Sequence, residues 1–311
     1  MLSIVTPCFN EQEVLPAFFD RITAACSGLG SYEVVFVDDG STDETWRLIG
    51  QLALKDPHVV AVRLSRNHGH QLALTAGLAQ AAGDRILIID ADLQDPPELL
   101  NEMSKIMDQG ADVVYGQRRH RSGESAFKLA TAHFFYRLLS LLTDVDIPKD
   151  TGDFRLISRR VLLAFNAMPE RQRFIRGMIS WIGFVQVPLA YDRDVRAAGR
   201  SKYPLRKMVR FALDAVTSFS TTPLRIASWL GVAVGALSLA AIIYLIIAHY
   251  LGYTIPGWTS LIVVVLFVGA LQLFVLGIIG EYLGRLFIES KGRPLYTIAE
   301  VYRASPGAKN G

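Results

Sequence analysis

The chain has 311 residues, 51% of them hydrophobic, and a formal charge of +3. That length can bury one large core or two smaller ones, and so slight a positive excess gives no argument for a nucleic-acid partner. The two cysteines, Cys8 and Cys26, have neither spacing nor partners for a metal site, and no disulfide is expected.

Residues 2–8 are an apolar run with no charged leader before them, so no cleaved signal peptide is expected and the run reads as a first strand. Apolar residues at helical spacing (Val14, Leu15, Phe18, Phe19, Ile22) predict a helix over 13–26. A second strand over 32–37 ends in Asp38-Asp39-Gly40-Ser41-Thr42-Asp43, where Ser41, Thr42 or Asp43 can cap a helix running to Leu52. A third strand spans 59–64. The polar loop Arg66–Gln71 follows it, then an Ala-rich helix over 72–82. Histidines such as His68 and His70 in such a loop are more often solvated, and neither is nominated as a metal ligand.

Residues 86–89 form the most apolar strand, and the chain then presents Asp90-Ala91-Asp92-Leu93-Gln94-Asp95 before a Pro-Pro breaker. Carboxylates at the carboxyl end of a buried parallel strand sit where open α/β sheets bind ligands. The Asp-x-Asp pair offers hard oxygen ligands suited to Mg²⁺ or Mn²⁺ bridging to a diphosphate. A helix over 97–109 and a strand over 112–116 complete the alternation expected of a doubly wound α/β sheet. Neither a Gly-x-Gly-x-x-Gly loop nor a Gly-x-x-x-x-Gly-Lys-[Ser/Thr] loop is present, so a metal, not a glycine loop, is expected to hold the phosphates.

Beyond this point 127–142 reads as a core helix or a membrane-surface helix. Residues 161–165 resume a helix, 169–177 form a basic loop or helix start, and 185–191 form an edge strand. Arg193, Arg196, Arg200 and Lys202 make a basic segment, and 205–219 reads as an interfacial amphipathic helix. From Ile226 to Gly280 there is no Lys, Arg, Asp or Glu, which predicts two membrane spans over 226–250 and 259–283. Tyr253 and Trp258 in the connection are candidate interface anchors. The connection lacks Lys and Arg while both flanks carry several, which places both ends in the cytoplasm. The expected organisation is a catalytic domain over 1–203, a juxtamembrane helix over 204–225, the two spans over 226–284 and a cytoplasmic tail over 285–311.

Taken together, Pro7-x-x-Asn10-Glu11, Asp38-Asp39-Gly40-Ser41-Thr42-Asp43, Asp90-Ala91-Asp92-Leu93-Gln94-Asp95-Pro96, Thr151-Gly152-Asp153-Phe154-Arg155-Leu156 and Gly199-x-Ser201-Lys202-Tyr203 resemble the family 2 glycosyltransferases. Among these the chain is most similar to the polyprenyl-phosphate glycosyltransferases, the dolichyl-phosphate mannose synthases and GtrB-type bactoprenol glucosyl transferases. The resemblance implies a GT-A, Rossmann-like mixed sheet followed by a membrane hairpin. It also implies inverting transfer of a hexose, commonly glucose from UDP-glucose, to undecaprenyl phosphate at the cytoplasmic face of the inner membrane, with Mg²⁺ or Mn²⁺.

Carried over by position, the resemblance makes Pro7, Asn10, Glu11, Asp39, Asp90, Ala91 and Lys202 donor contacts, with Lys202 at the diphosphate. It makes Asp92 and Gln94 metal ligands, and Arg118 and Lys128 acceptor-phosphate contacts, with Arg176 added from the basic run. Asp153 is the position of a general base. A phosphate acceptor is already largely dianionic at neutral pH, with a second pKa of about 6, so Asp153 has little proton to remove. The Gln-x-x-Arg-Trp motif of processive synthases is absent. A homo-oligomer, a tetramer in some members, is the family expectation. Two other readings stay open: the same fold with mannose, aminoarabinose, N-acetylhexosamine or another lipid, and a membrane scaffold that senses nucleotides or lipids.

Overall fold

A computed structural model describes residues 1–119, 151–192, 222–251 and 257–303. These fall into two compact units. One holds the sheet and includes residues 293–303; the other holds the two long helices between residues 222 and 292.

The sheet has eight strands: β1 (Leu2–Cys8), β2 (Tyr32–Asp38), β3 (Val59–Leu64), β4 (Arg85–Ile88), β5 (Val113–Arg118), β6 (Thr151–Ser158), β7 (Gln186–Tyr191) and β8 (Ile298–Arg303). Their order is β7-β5-β6-β4-β1-β2-β3-β8. Pairs β1–β2, β1–β4, β2–β3 and β5–β7 are parallel, while β6 and β8 run antiparallel to their neighbours. The sheet is therefore mixed, as the resemblance implied.

Burial explains the parallel core. Every residue of β1 is buried, including Ser3 and Thr6, because helices cover both faces. Helix α1 (Leu15–Cys26) turns Leu15, Phe18, Ile22 and Cys26 inward. Phe18 meets Phe36 of β2 edge-on at 6.2 Å. Each such side chain contributes about 1.5–3 kcal/mol relative to exposure. Helices α2 (Thr45–Lys55) and α4 (Leu100–Asp108, entered through a 3₁₀ turn at Pro97–Leu99) join the same core. Helix α3 (His70–Gln80) covers the opposite face, where Gly77 lies against the side chains of Val5 and Val37. Helices α5 (Arg159–Ala167) and α6 (Ile175–Ile182) lie on that same side, with α5 touching α3. Cys8 and Cys26 are free and buried, and burial pushes both thiols up, so neither is a ready thiolate.

Two strands differ from the sequence reading. Residues 151–158 form β6, a buried strand between β4 and β5, a stretch to which the sequence reading assigned a motif but no element. The stretch after the second long helix, expected to be a tail, returns as β8 and pairs with β3 from Val60–Arg303 to Leu64–Ile298. Arg63 lies over Trp46 at 5.4 Å and reaches Glu300 at 3.1 Å, while Tyr302 packs near Trp46. β8 thus caps an edge that would otherwise present unpaired backbone groups. The five cross-strand pairs are worth about 0.2–1 kcal/mol each. Truncation before Ile298 is therefore expected to lower Tm by several degrees and to promote association, readable by thermal unfolding and light scattering in detergent. An unchanged Tm would show that the strand is dispensable.

In the second unit, α7 (Thr222–Tyr250) and α8 (Trp258–Ser290) are 29 and 33 residues long, or about 44 and 50 Å at 1.5 Å per residue. The stretches Thr222–Ala248 and Val263–Ser290, whose most apolar 18 residues have mean hydropathies of 2.5 and 2.7, are long enough to cross a bilayer core of about 30 Å. Helix α8 runs past the expected end at residue 283, because Glu281 and Arg285 pair on its surface one turn apart at 2.8 Å. The amphipathic stretches 127–142 and 205–219 and the anchor Tyr253 lie outside the described residues.

Candidate active site

All strands except β6 and β8 run the same way. Their carboxyl ends therefore line one edge of the sheet, together with the amino ends of β6 and β8. The strand order reverses at β1, with β2 on one side and β4 on the other, which is where doubly wound sheets open a ligand crevice. Every site residue singled out in the sequence and described in the structure lies at or just beyond this edge.

On the β1–β2–β3 side, three loops are laced together. Asn10 takes a positive φ of 56°, a conformation Asn tolerates, and its Oδ1 accepts from the Thr42 N–H at 2.9 Å. The backbone N–H groups of Asn10 and Glu11 donate to Ser41 Oγ and Thr45 Oγ1. Pro7 is buried within β1 itself. Asp39, also buried, accepts from the backbone N–H of His68 at 2.7 Å and of Gly69 at 2.9 Å. Gly40 has φ 68°, and a β-carbon there would stand 2.6 Å from the Arg66 backbone. The Asp-Asp-Gly motif thus fixes the β3 loop, a task the sequence alone did not reveal.

The acidic turn after β4 holds a backbone outlier. Leu93 adopts φ 59°, a left-handed conformation that costs a non-glycine residue about 1–2 kcal/mol. The turn is closed by the Gln94 N–H, which donates to Asp92 Oδ1 at 3.2 Å. Asp92 is half-buried, while Ala91, Gln94 and Asp95 are buried. Asp90 Oδ1 is sealed from water and has no hydrogen-bond partner among the described residues. Burial raises the Asp90 carboxyl to about 6, with His70 opposing and Asp153, Asp92 and Asp95 adding to the rise.

Beside it stands Asp153, near the start of β6 and only 3% exposed. Its Oδ1 accepts from Arg176 Nε at 2.7 Å. Its Oδ2 receives the Gln71 amide at 3.1 Å and lies 3.1 Å from His70 Nε2. Burial alone would raise this carboxyl, but the Arg176 charge and the His70 and Arg176 hydrogen bonds hold it well below the carboxylate range. For His70, burial lowers the imidazole, yet the bond to Asp153 and the charges of Asp90 (3.6 Å away) and Asp153 prevail over it and Arg176, and raise the group to about 9. Arg176 also donates to the Thr151 carbonyl at 3.1 Å. The guanidinium of Arg118, from the end of β5, lies so close to Gly152 that a β-carbon there would be 2.8 Å from Nη2. Arg155, two residues along β6, is buried with its Nη2 on the Gly152 carbonyl at 3.0 Å.

The structure therefore brings Asp90, Asp92, Gln94, Asp153, Arg176 and Arg118 to one stretch of the edge. Pro7, Asn10, Glu11 and Asp39 lie on the adjoining stretch. Lys128 and Lys202 lie outside the described residues. His70, expected to be a solvated loop residue, is exposed, but it begins α3 instead of lying in the loop, and its ring binds Asp153 at 3.1 Å. Its signal was available, since it directly follows a loop leaving the carboxyl end of a buried parallel strand. Because its value rises from 6.5 to about 9, its stabilising contribution is complete below about pH 6.5 and is lost as pH rises through about 9. The side chain is 43% exposed, so water screens part of the effect. His70→Gln, which keeps a donor without the charge, is expected to flatten the fall of Tm across that window. Identical Tm–pH profiles for both proteins would refute the assignment.

Comparison with known proteins adds to this geometry. Residues 3–164 match the family described as Glycosyl transferase family 2, and residues 222–286 match the GtrB C-terminal hairpin. The chain is 45% identical over 305 residues to YkcC of Bacillus subtilis, an uncharacterized glycosyltransferase, covering 96% of this chain and 94% of that one. It is 40% identical over 308 residues to the bactoprenol glucosyl transferase of Shigella phage SfII, covering 98% and 99%. The S. aureus TarS 1–349 structure with UDP-GlcNAc aligns at a TM-score of 0.50 with 16% identity, over 70% of this chain and 65% of that one, a likeness of fold alone.

Proposed function

The chain belongs to glycosyl transferase family 2 and is a glycosyltransferase, and from that premise we propose that it transfers glucose from UDP-glucose to the phosphate of a polyprenyl phosphate at the membrane surface. The observation that carries this reading is the meeting, at one sheet edge, of an oxygen-rich acidic turn with a cationic cluster built on Asp153. An acidic turn suits a cation-bound diphosphate, and partly exposed guanidinium groups suit a second phosphate. Likeness at 40% identity over 98% of the chain to a bactoprenol glucosyl transferase supports the choice of sugar and lipid.

In this reading the loops of β1, β2 and β3 hold the nucleoside, with Pro7, Asn10, Glu11 and Asp39 as its wall. The diphosphate lies over Asp90 and Ala91 with Lys202, and Arg118, Arg176 and Lys128 receive the acceptor phosphate. A divalent cation would sit on Asp92 and Gln94. Among the described residues no three His, Cys, Asp or Glu form a metal cluster. That fits Mg²⁺ or Mn²⁺, which need only one or two protein oxygens when substrate phosphates complete the shell. Asp90 Oδ1, without a hydrogen-bond partner among the described residues and 3.6 Å from His70 Nε2, is a further oxygen beside this turn. When bound, the cation neutralises charge on the departing diphosphate.

The reaction breaks the bond between the anomeric carbon and the donor phosphate and forms one to an acceptor phosphate oxygen, with inversion and release of UDP. The acceptor arrives largely dianionic, so no proton need be taken from it. Asp153, ionised and saturated with donors, is a weak base and acts instead by fixing Arg176 and His70. The chain leaves the sheet after β7 and re-enters it at β8, so a hairpin of two helices that each cross a membrane begins and ends on the same side of it. Positive flanks make that side the cytoplasm.

A panel of radiolabelled sugar nucleotides, offered with undecaprenyl phosphate to the full-length protein in detergent, tests the proposal. Glycolipid from UDP-glucose above all other donors is expected. A product only from another sugar would change the donor, and UDP binding with no product on any lipid phosphate would overturn the enzymatic reading of this acceptor.

A further inference from the structure

The last residue of β7, Tyr191, is buried, and its ring is fixed on two sides. It packs edge-on against Phe154 at 5.6 Å, and a β-carbon on Gly116 would approach it to 2.7 Å. Its hydroxyl lies between two charged side chains from different parts of the site. It donates to Asp95 Oδ1 at 2.5 Å, at the end of the acidic turn, and accepts from Arg118 Nε at 3.5 Å. A phenol has a single proton. With that proton given to Asp95, which is 2% exposed, a lone pair is left facing Arg118.

We propose that Tyr191 is a positioning residue: its hydroxyl links the buried carboxylate of Asp95 to Arg118 and so sets the guanidinium where the acceptor phosphate arrives. The inference rests on the reading of Arg118 as an acceptor contact. Asp95 is the fixed post, since it follows the strained Leu93 turn and is almost wholly buried. Arg118 is the group that would move, since among the described residues its guanidinium is otherwise held by close packing beside Gly152. Burial and the neighbouring Asp95 hold the phenol protonated far above neutral pH, so the link persists across the working range. A planar guanidinium fixed at Nε keeps its Nη edge in one orientation, which is what bidentate phosphate recognition needs. The link therefore joins the donor-side turn to the acceptor side through one hydroxyl, a connection no sequence motif carries.

The test uses the full-length enzyme in detergent with Mg²⁺, UDP-glucose and undecaprenyl phosphate, comparing wild type, Tyr191→Phe, Arg118→Gln and the double variant. Tyr191→Phe keeps the ring and its packing. It is expected to raise the acceptor KM about 5- to 10-fold, with kcat and UDP affinity within about twofold. The double variant is expected to be no worse than Arg118→Gln alone, because the hydroxyl acts only through that arginine. An unchanged acceptor KM in Tyr191→Phe overturns the proposal, as do losses that multiply in the double variant or a parallel fall in UDP affinity. Those results leave the proposed function intact as long as wild type makes glycolipid; a wild type that makes none would overturn both.

Discussion

Asp153→Asn is expected to lower glycosyl transfer by about 10²- to 10³-fold while UDP affinity stays within about twofold. The reason lies in the donors that converge on the carboxylate. Arg176 donates to one oxygen, and Gln71 and His70 face the other. An asparagine can turn only one oxygen to these groups, so its NH₂ must oppose either the guanidinium or the Gln71 and His70 pair. The charge that holds His70 protonated is also lost. Removing one partner of a buried charge cluster typically costs about 3–5 kcal/mol, and lost charge-assisted bonds about 1.5–3 kcal/mol each. A drop of 10²–10³ corresponds to about 2.7–4 kcal/mol, within that range. Asp153→Glu is not expected to rescue, since a site 3% exposed has no room for another methylene. Turnover, UDP calorimetry and circular dichroism on the same preparations separate a catalytic loss from unfolding. An asparagine variant that keeps more than about a tenth of wild-type activity would remove Asp153 from the centre of the site.

The second large effect is expected at Asp92. In the structure its Oδ1 accepts the Gln94 N–H and closes the turn. Asparagine can make the same bond through its own Oδ1, so Asp92→Asn preserves the turn and the left-handed Leu93. What it removes is charge. Transfer is expected to fall about 10²-fold, and the Mg²⁺ or Mn²⁺ concentration for half-maximal activity to rise at least tenfold. Chelator is expected to abolish wild-type transfer and re-added cation to restore it. Transfer insensitive to chelator, or an Asp92→Asn variant with the wild-type metal response, would contradict the assignment of Asp92 and Gln94.

The parallel half of the sheet was legible because β1 to β4 are short apolar runs separated by helical periodicity, a pattern that burial on both faces imposes. β6 was not. It carries Gly152, Asp153 and Arg155, whose polarity reads as a loop, and only the fold shows that this antiparallel strand begins at the edge where its neighbours end. That reversal is what places Asp153 near Asp90. β8 was hidden by position: an edge strand with one side open needs few apolar residues, and it lies beyond two long apolar helices. The acidic turn was legible from residue type, but the strain at Leu93 was not. The roles of Asp39 and His70 depend on contacts between loops of different strands, which spacing along the chain does not encode. The two long apolar helices were legible because the stretch without formal charge far exceeds the need of any soluble helix, although Glu281 and Arg285 pair where α8 continues past the expected boundary.

The central claim is tested most directly by the mass of the lipid product made by purified full-length protein from UDP-glucose and undecaprenyl phosphate with Mg²⁺. The expected result is undecaprenyl phosphate carrying one added hexose, formed with stoichiometric UDP and absent with chelator. Release of free glucose with the lipid unchanged, or no consumption of UDP-glucose while UDP still binds, would contradict the account.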